Sequence, residues 1–271
     1  MRRRVRWPLY LVGGLLSVYF LYPIYVLLLV AFVPSQYTIL PLYPDQLPRA
    51  FTGSYLATAF ADPALVQALY RSLEVATLVG AIAVALGIPA AWGLSRLPRR
   101  LAYGLTTTLF VVNMMPALVI AIPISADFIS LHLFDTVAGL ALSQELVVLP
   151  IVTFLLLGAF QAIPRELEQQ ARVDGAGLLR TIYQVLVPLA ASAIIASFLL
   201  AWMISWDEFT FAVILSPIHQ TLPVVIYGDI TRGDLRAASA FALVASVPVI
   251  ALTVLLQRFL KGEQLAGGLK G

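Results

Sequence analysis

Pro164-Arg-Glu-Leu-Glu-Gln-Gln-Ala-Arg-Val-Asp-Gly-Ala-Gly177 is a charged stretch set between two apolar runs, Leu146–Ile163 and Thr181–Trp206. Pro164 suits the first position of a helix, where a missing N–H costs nothing. Glu166 and Glu168 then fall in the first turn, favourable to the helix dipole. Leu167 and Ala171 stand four apart and draw an apolar stripe along one face. Asp174-Gly175 supplies the stop, because glycine takes the left-handed conformation that ends a helix. A solvated connector needs no apolar stripe, so this segment is expected to be a short helix that docks something. A second short helix is expected from Leu178 into the following run, broken or bent at Pro188.

The runs on either side set the class. The 271 residues are 61% apolar and 11% charged, with a mean hydropathy of +0.93. A soluble domain carries roughly 25% charged residues, so this chain belongs in lipid. It has no cysteine, which excludes disulfides, thiolate metal sites and a cysteine nucleophile. His132 and His219 lie in different segments without partners at metal-ligand spacing, so they are expected in loops or interfaces, and no metal site is expected.

A helix needs about 20 apolar residues to cross the hydrocarbon core. Charge-poor windows place spans at about 8–33, 69–96, 101–126, 136–163, 181–206 and 237–258, in one transmembrane domain over 1–271. Met1–Arg6 precedes a long apolar run with no convincing small-residue cleavage site, which reads as an uncleaved first span. Phe209–Gly228 is uncharged but holds Pro217, His219, Gln220 and Pro223, and reads as two short apolar pieces around a turn.

The basic residues sort by side. Six spans put Arg2, Arg3, Arg4, Arg6, Arg96, Arg99, Arg100, Arg165, Arg172, Arg180, Arg258, Lys261 and Lys270 together. Only Arg49, Arg71, Arg232 and Arg236 fall opposite. The positive-inside rule then makes both termini and the 164–180 segment cytoplasmic. A net charge of +3 sorted in this way is not a nucleic-acid footprint, and no nucleic acid is expected.

Several motifs carry a family resemblance. Ala171, Gly175, Val185, Val187 and Pro188 stand at the spacing of Glu-Ala-Ala, three residues, Gly, nine residues, Ile-x-Leu-Pro. Gln169-Gln170 replaces the leading Glu-Ala, leaving Glu166 or Glu168 for the charged role. Arg71-Ser-Leu-Glu-Val-Ala76, Ala91-Trp-Gly-Leu-Ser-Arg96, Ser205-Trp-Asp-Glu-Phe209 and the tail from Gly262 to Gly271 add to the pattern. The chain resembles the permease subunits of maltose-type carbohydrate ABC importers along nearly its whole length.

The resemblance implies an all-α, type I ABC importer permease fold in the cell (inner, cytoplasmic) membrane. It implies a second homologous permease chain, two ATPase subunits and an extracytoplasmic solute-binding protein touching the 34–68 and 206–236 loops. Segment 164–180 becomes the coupling loop, with Glu166, Glu168, Gln169, Gln170, Ala171, Arg172, Asp174, Gly175 and Ala176 against the ATPase. The substrate implied is a sugar or oligosaccharide. Importers of polyamines, ferric ion or phosphorylated polyols share the loop.

Other features are read from the residues themselves. No Gly-x-x-x-x-Gly-Lys-Ser/Thr occurs, so the chain cannot cradle a nucleotide in a P-loop; the resemblance implies a non-catalytic chain with no cofactor of its own and ATP and Mg²⁺ on the partner subunits. An ion-coupled secondary transporter is the rival class, but it calls for inverted repeats and midplane carboxylates, and only Glu145 fits. A passive membrane scaffold leaves the 164–180 helix without a purpose.

Polar groups inside spans are costly and usually face an interior path. Asn113, Gln144, Glu145, Trp202, Ser205 and Trp206 are the candidates for that path. The tryptophans also read as interface anchors, and Asn113 as the partner of a carbonyl freed by Pro116 or Pro123. Arg71 and Glu74 are spaced for an i,i+3 pair.

Overall fold

A computed structural model describes residues 7–34, 38–40, 43–44 and 50–267. Arg2, Arg3, Arg4, Arg6 and Arg49 and the end of the tail at 268–271 lie outside them. The described chain is helical apart from a two-stranded antiparallel hairpin, Thr38–Leu40 with Tyr43–Pro44. It divides into two compact units, Met1–Val66 with Val225–Val247, and Gln67–Val224 with Pro248–Gly271.

In the first unit, α1 (Trp7–Phe32) is apolar throughout and exposed along most of its length, as suits a helix surrounded by lipid. The Thr52 N–H donates to the Phe32 carbonyl at 2.7 Å, bringing α2 (Ser54–Ala61) back beside its end.

The second unit carries the bundle. It contains most of α3 (Pro63–Arg96), with α4 (Arg99–Asn113), α5 (Ala117–Ser130), α6 (Val137–Ala162) and α7 (Arg165–Val173). After these come α8 (Leu178–Leu189), α9 (Ala191–Trp206) and α10 (Thr210–Leu215). In chain order α11 (Leu222–Arg232), mostly in the first unit, and α12 (Leu235–Gly267), divided between the two, follow.

Side-chain caps set several starts. Asp62 accepts from the Ala64 N–H at 2.8 Å, Thr136 from the Gly139 N–H at 3.0 Å, and Glu208 from the Phe211 N–H at 2.9 Å. The core joins α3, α6 and α9 through Val75, Val79, Val152, Leu156, Phe160 and Ala201. At Gly87 the backbones run so close that a Cβ would stand 2.9 Å from Val152 Cγ1.

Two of the expected spans are broken. The window 101–126 forms α4 and α5, separated at Met114–Pro116, with Pro116 in the extended conformation that opens α5. Proline drives the residue before it out of the helical region, which places the break here. The window 181–206 is likewise a bent pair, with α8 meeting α9 at 82°. The bend expected at Pro188 falls two residues later, at Ala190, after a wide π-turn over Ile182–Leu186. Four described helices are long and apolar enough to cross a membrane unaided, at Tyr10–Phe32, Pro63–Arg96, Val137–Ala162 and Leu235–Leu255. Phe209–Gly228 does form two short helices around a turn.

Candidate functional site

The α7 helix ends as its residues require. Gly175 has φ +82°, the Ala176 N–H donates to the Ala171 carbonyl at 2.9 Å, and the Gly175 N–H donates to Arg172 at 3.0 Å. These two bonds close a Schellman cap. At the other end Pro164 is the capping residue, not the first helical one, and Arg165 begins the helix.

One face of α7 is turned into the protein. Glu168 and Ala171 are buried and Leu167 is half-buried. Glu168 forms an ion pair with Arg96 at the end of α3, and its Oε1 accepts from the Trp92 indole N–H at 3.2 Å. Arg165 donates to the Ser95 carbonyl at 3.4 Å. Glu168 is therefore an anchor to the bundle, which corrects its expected place on the ATPase face. Ala171 is turned inward with it. Glu166, Gln169, Gln170, Arg172, Asp174 and Gly175 remain exposed, and Ala176 is half-buried. Four of them, with Val173, line one open groove. Val173 itself is 86% exposed, a large apolar side chain with nothing over it.

The path candidates divide into two groups. Gln144 and Ser205 meet in the core, where Ser205 Oγ donates to Gln144 Oε1 at 2.5 Å. Gln144 Nε2 in turn donates to Glu208 at 3.4 Å, and Glu208 caps α10. Trp202 and Trp206 stack at 4.8 Å and 13°, both buried, and the Trp202 indole N–H donates to Thr77 Oγ1 at 3.4 Å. Buried in this way, they are not interface anchors in this unit. Glu145, beside Gln144, is buried and neither carboxylate oxygen has a partner among the described residues.

Asn113 stands apart. Its Nδ2 donates to the Val147 carbonyl at 2.7 Å, one residue from the carbonyl that Pro150 leaves without its helical partner. The carbonyl it bonds thus belongs to α6 and not to the Pro116 or Pro123 turns.

The opposite end of α3 holds a cluster with no counterpart among the expected sites. Arg71, about 37 Å from Arg96 along the helix, donates to the Asp135 carbonyl at 2.8 Å and to Ser216 Oγ at 3.3 Å. That cross-element grip replaces the expected pair with Glu74. The Asp135 carboxylate accepts from Ser216 Oγ (3.2 Å), Ile218 N–H (3.3 Å) and His219 N–H (3.1 Å), and meets His219 Nδ1 at 2.6 Å. Burial pushes the Asp135 carboxyl up, but the hydrogen bonds from His219 and Ser216 outweigh it and hold the group below its ordinary value. The Leu222 N–H donates to Ser72 Oγ at 2.8 Å, adding a second tie to α3. The His219 side chain is 63% exposed, a loop residue as expected.

Residues 83–262 match the family described as the binding-protein-dependent transport system inner membrane component. The chain belongs to this family. It is a multi-pass ABC importer permease, a transport subunit and not an enzyme. It is 32% identical to the inner membrane ABC transporter permease protein YcjP of Escherichia coli (strain K12), over 93% of this chain and 91% of that one. It is 31% identical to the sulfoquinovosyl glycerol transport system permease protein SmoH of Agrobacterium fabrum, over 83% and 80%. Among solved structures, a bacterial ABC transporter that imports the acidic polysaccharide alginate superposes with TM-score 0.77, covering 95% of this permease and 98% of that chain at 19% identity.

The inward turn of Glu168 and the capping role of Glu208 both carry local signals. Glu168 follows Leu167 and precedes Ala171 by three, so helical spacing already put it on the apolar stripe. Glu208 stands three residues before Phe211, the spacing of a cap. Asp135 and His219 are 84 residues apart, and no local pattern joins them.

Proposed function

We propose that this permease forms half of the translocation pathway of an ATP-driven importer for a sugar or oligosaccharide, and that 164–180 transmits ATPase closure to the bundle. The observation that carries the reading is the two-sided α7. One side is held to the end of α3 by Glu168, and the other offers Glu166, Gln169, Gln170 and Asp174 around an unpartnered groove. A lever needs both a fixed side and a driven one.

Two ATPase subunits take the driven face and supply ATP and Mg²⁺. A second permease chain completes the path, and a solute-binding protein delivers substrate from outside. The relatives support the sugar assignment, since one is named for a sulfoquinovosyl glycerol system and another solved transporter carries an alginate pentasaccharide-bound periplasmic protein. In this permease the Gln144–Ser205 pair, the stacked Trp202 and Trp206 and the unpartnered Glu145 supply amide, carboxylate and aromatic surface for a sugar. Asn113, engaged with the α6 backbone, keeps a peripheral place on the path.

Six spans complete the proposal, with α4–α5 and α8–α9 each serving as one broken span. Both termini and α7 face the cytoplasm of a cell whose inner membrane holds the complex. The orientation puts Arg71 and His219, each bonded to Asp135, outside, and puts Arg96 with Glu168, and Arg165 on the Ser95 carbonyl, inside.

The test is sugar-stimulated ATP hydrolysis by the reconstituted complex carrying Gly175→Pro. Proline cannot adopt the positive φ of the cap, so the complex is expected to assemble and lose coupling. Uptake at the native rate with no ATPase subunit present overturns the reading.

A further inference from the structure

The end of α3, the start of α4 and the last turns of α6 enclose a cavity of about 610 Å³ to which the transport reading assigns no occupant. Arg96, Arg99 and Arg165 stand at its rim, and Tyr103, Phe154 and Leu157 line it further in. Among the described residues no carboxylate lines it. Arg165 holds only the Ser95 carbonyl at 3.4 Å. Arg99 lies over the Tyr103 ring at 5.4 Å, with the hydroxyl at 3.5 Å. Neither has a carboxylate partner among the described residues. Arg96 shares Glu168, yet its Nε is buried with no hydrogen-bond partner among the described residues.

The two chemistries are stacked along one axis. With a rise of 1.5 Å per residue, Thr106 on the wall lies about 10 Å from Arg99 along α4. Deeper still, Phe110 meets Phe154 edge to face at 5.3 Å. The volume matches about twenty waters, far more than a bare phosphate fills. Guanidiniums favour phosphate oxygens in a fork geometry, and basic pockets between spans on the cytoplasmic side suit anionic headgroups.

We infer that this cavity binds an anionic phospholipid, with the phosphate at Arg96, Arg99 and Arg165 and the first part of an acyl chain between α4 and α6. The proposal rests on the orientation above in naming the leaflet as the cytoplasmic one. Because the phosphate would share Arg96 with Glu168, lipid occupancy bears directly on the anchor of α7.

Native mass spectrometry of the full chain, purified in mild detergent with its co-purifying subunits, tests this with phosphatidylglycerol and phosphatidylcholine. Phosphatidylglycerol is expected to be retained and phosphatidylcholine lost. Each arginine removed should weaken retention about fivefold, so Arg99→Ala with Arg165→Ala weakens it roughly twenty-five-fold. The lysine pair at the same positions should keep most of it, and Arg180→Ala, bonded to Gln184 away from the cavity, should change nothing. Arg99 is exposed, so Arg99→Ala alone serves if the double variant fails to fold.

Equal retention by wild type and Arg99→Ala overturns the proposal. So does displacement of the lipid by millimolar inorganic phosphate, which would make the ligand a soluble anion. A crosslink from Arg165 to an acidic segment of another subunit, with lipid absent, overturns it too. Neither nucleotide nor sugar enters the measurement, so its failure leaves the transport reading standing.

Discussion

The two ends of α3 are tied down by arginines in opposite styles. At the N-terminal end, Arg71 and Ser72 grip backbone and hydroxyl groups, and one carboxylate, Asp135, accepts from four donors across residues 216–219. At the C-terminal end, one carboxylate on a helix of nine residues meets one arginine and one indole, with Arg165 on the Ser95 carbonyl beside them. A many-toothed clamp fixes a loop in place. A sparser set of ties centred on one carboxylate holds an element with fewer constraints. The denser clamp lies away from α7, and the sparser attachment lies at the helix proposed to take the drive.

The comparison breaks first at Glu168. Removing one partner of a buried ion pair leaves the other charge without compensation, at a cost of about 3 kcal/mol. Glu168→Ala is therefore expected to melt well below wild type, and hydrogen exchange should open residues 165–175 while 216–222 stay protected. Equal opening at both ends would mean that α7 is not separately anchored.

Asp135→Ala should act at the other end and cost somewhat less, about 2 kcal/mol, because its partners sit closer to water and regain hydrogen bonds there. Exchange protection should fall over 216–222 and not over 165–175. The clamp also has a pH signature. The Asp135 carboxyl is held below its ordinary value of about 3.9. Its stabilisation is then fully present above that value and is lost as pH falls through the lower, folded one. Measured as a stability difference, the gap between wild type and Asp135→Asn should hold from pH 7 to about pH 5 and close only below about pH 4. A gap that closes near neutrality would place the titration elsewhere.

The same contrast explains how much could be read from residues alone. Apolar runs, the Gly175 cap and the turn within 209–228 are local, and each follows from a rule spanning a few positions. The path pair Gln144 and Ser205 was also within reach, since buried polar groups in spans face inward and seek each other. The break at Met114–Pro116 carried a signal in its proline, masked by an unbroken apolar window from 101 to 126. The anchors were not legible as pairs. Arg96 and Glu168 lie 72 residues apart, Arg71 and Asp135 lie 64 apart, and only the packing of α3 against α6 brings them together. The inward turn of Glu168 was nevertheless encoded in its register with Leu167 and Ala171. A carboxylate on an apolar stripe is a partner in waiting, and the charge pattern alone does not tell that from a solvent-facing contact.

The smallest expected effect on folding falls where function is proposed to concentrate. Gln170 is exposed beside the open groove of α7 and makes no side-chain bond among those described. Gln170→Arg should therefore leave the unfolding free energy within about 0.5 kcal/mol of wild type. In the reconstituted complex the same change places a bulky cation on the driven face, and sugar-stimulated ATP hydrolysis should fall while basal hydrolysis and assembly persist. Glu168→Ala reaches a similar loss of coupling by loosening the anchor, with a large stability cost. Stability and coupling thus separate on opposite faces of one nine-residue helix. If Gln170→Arg couples normally and Glu168→Ala does not, the anchor alone transmits the motion, and the exposed groove is not the surface the ATPase holds.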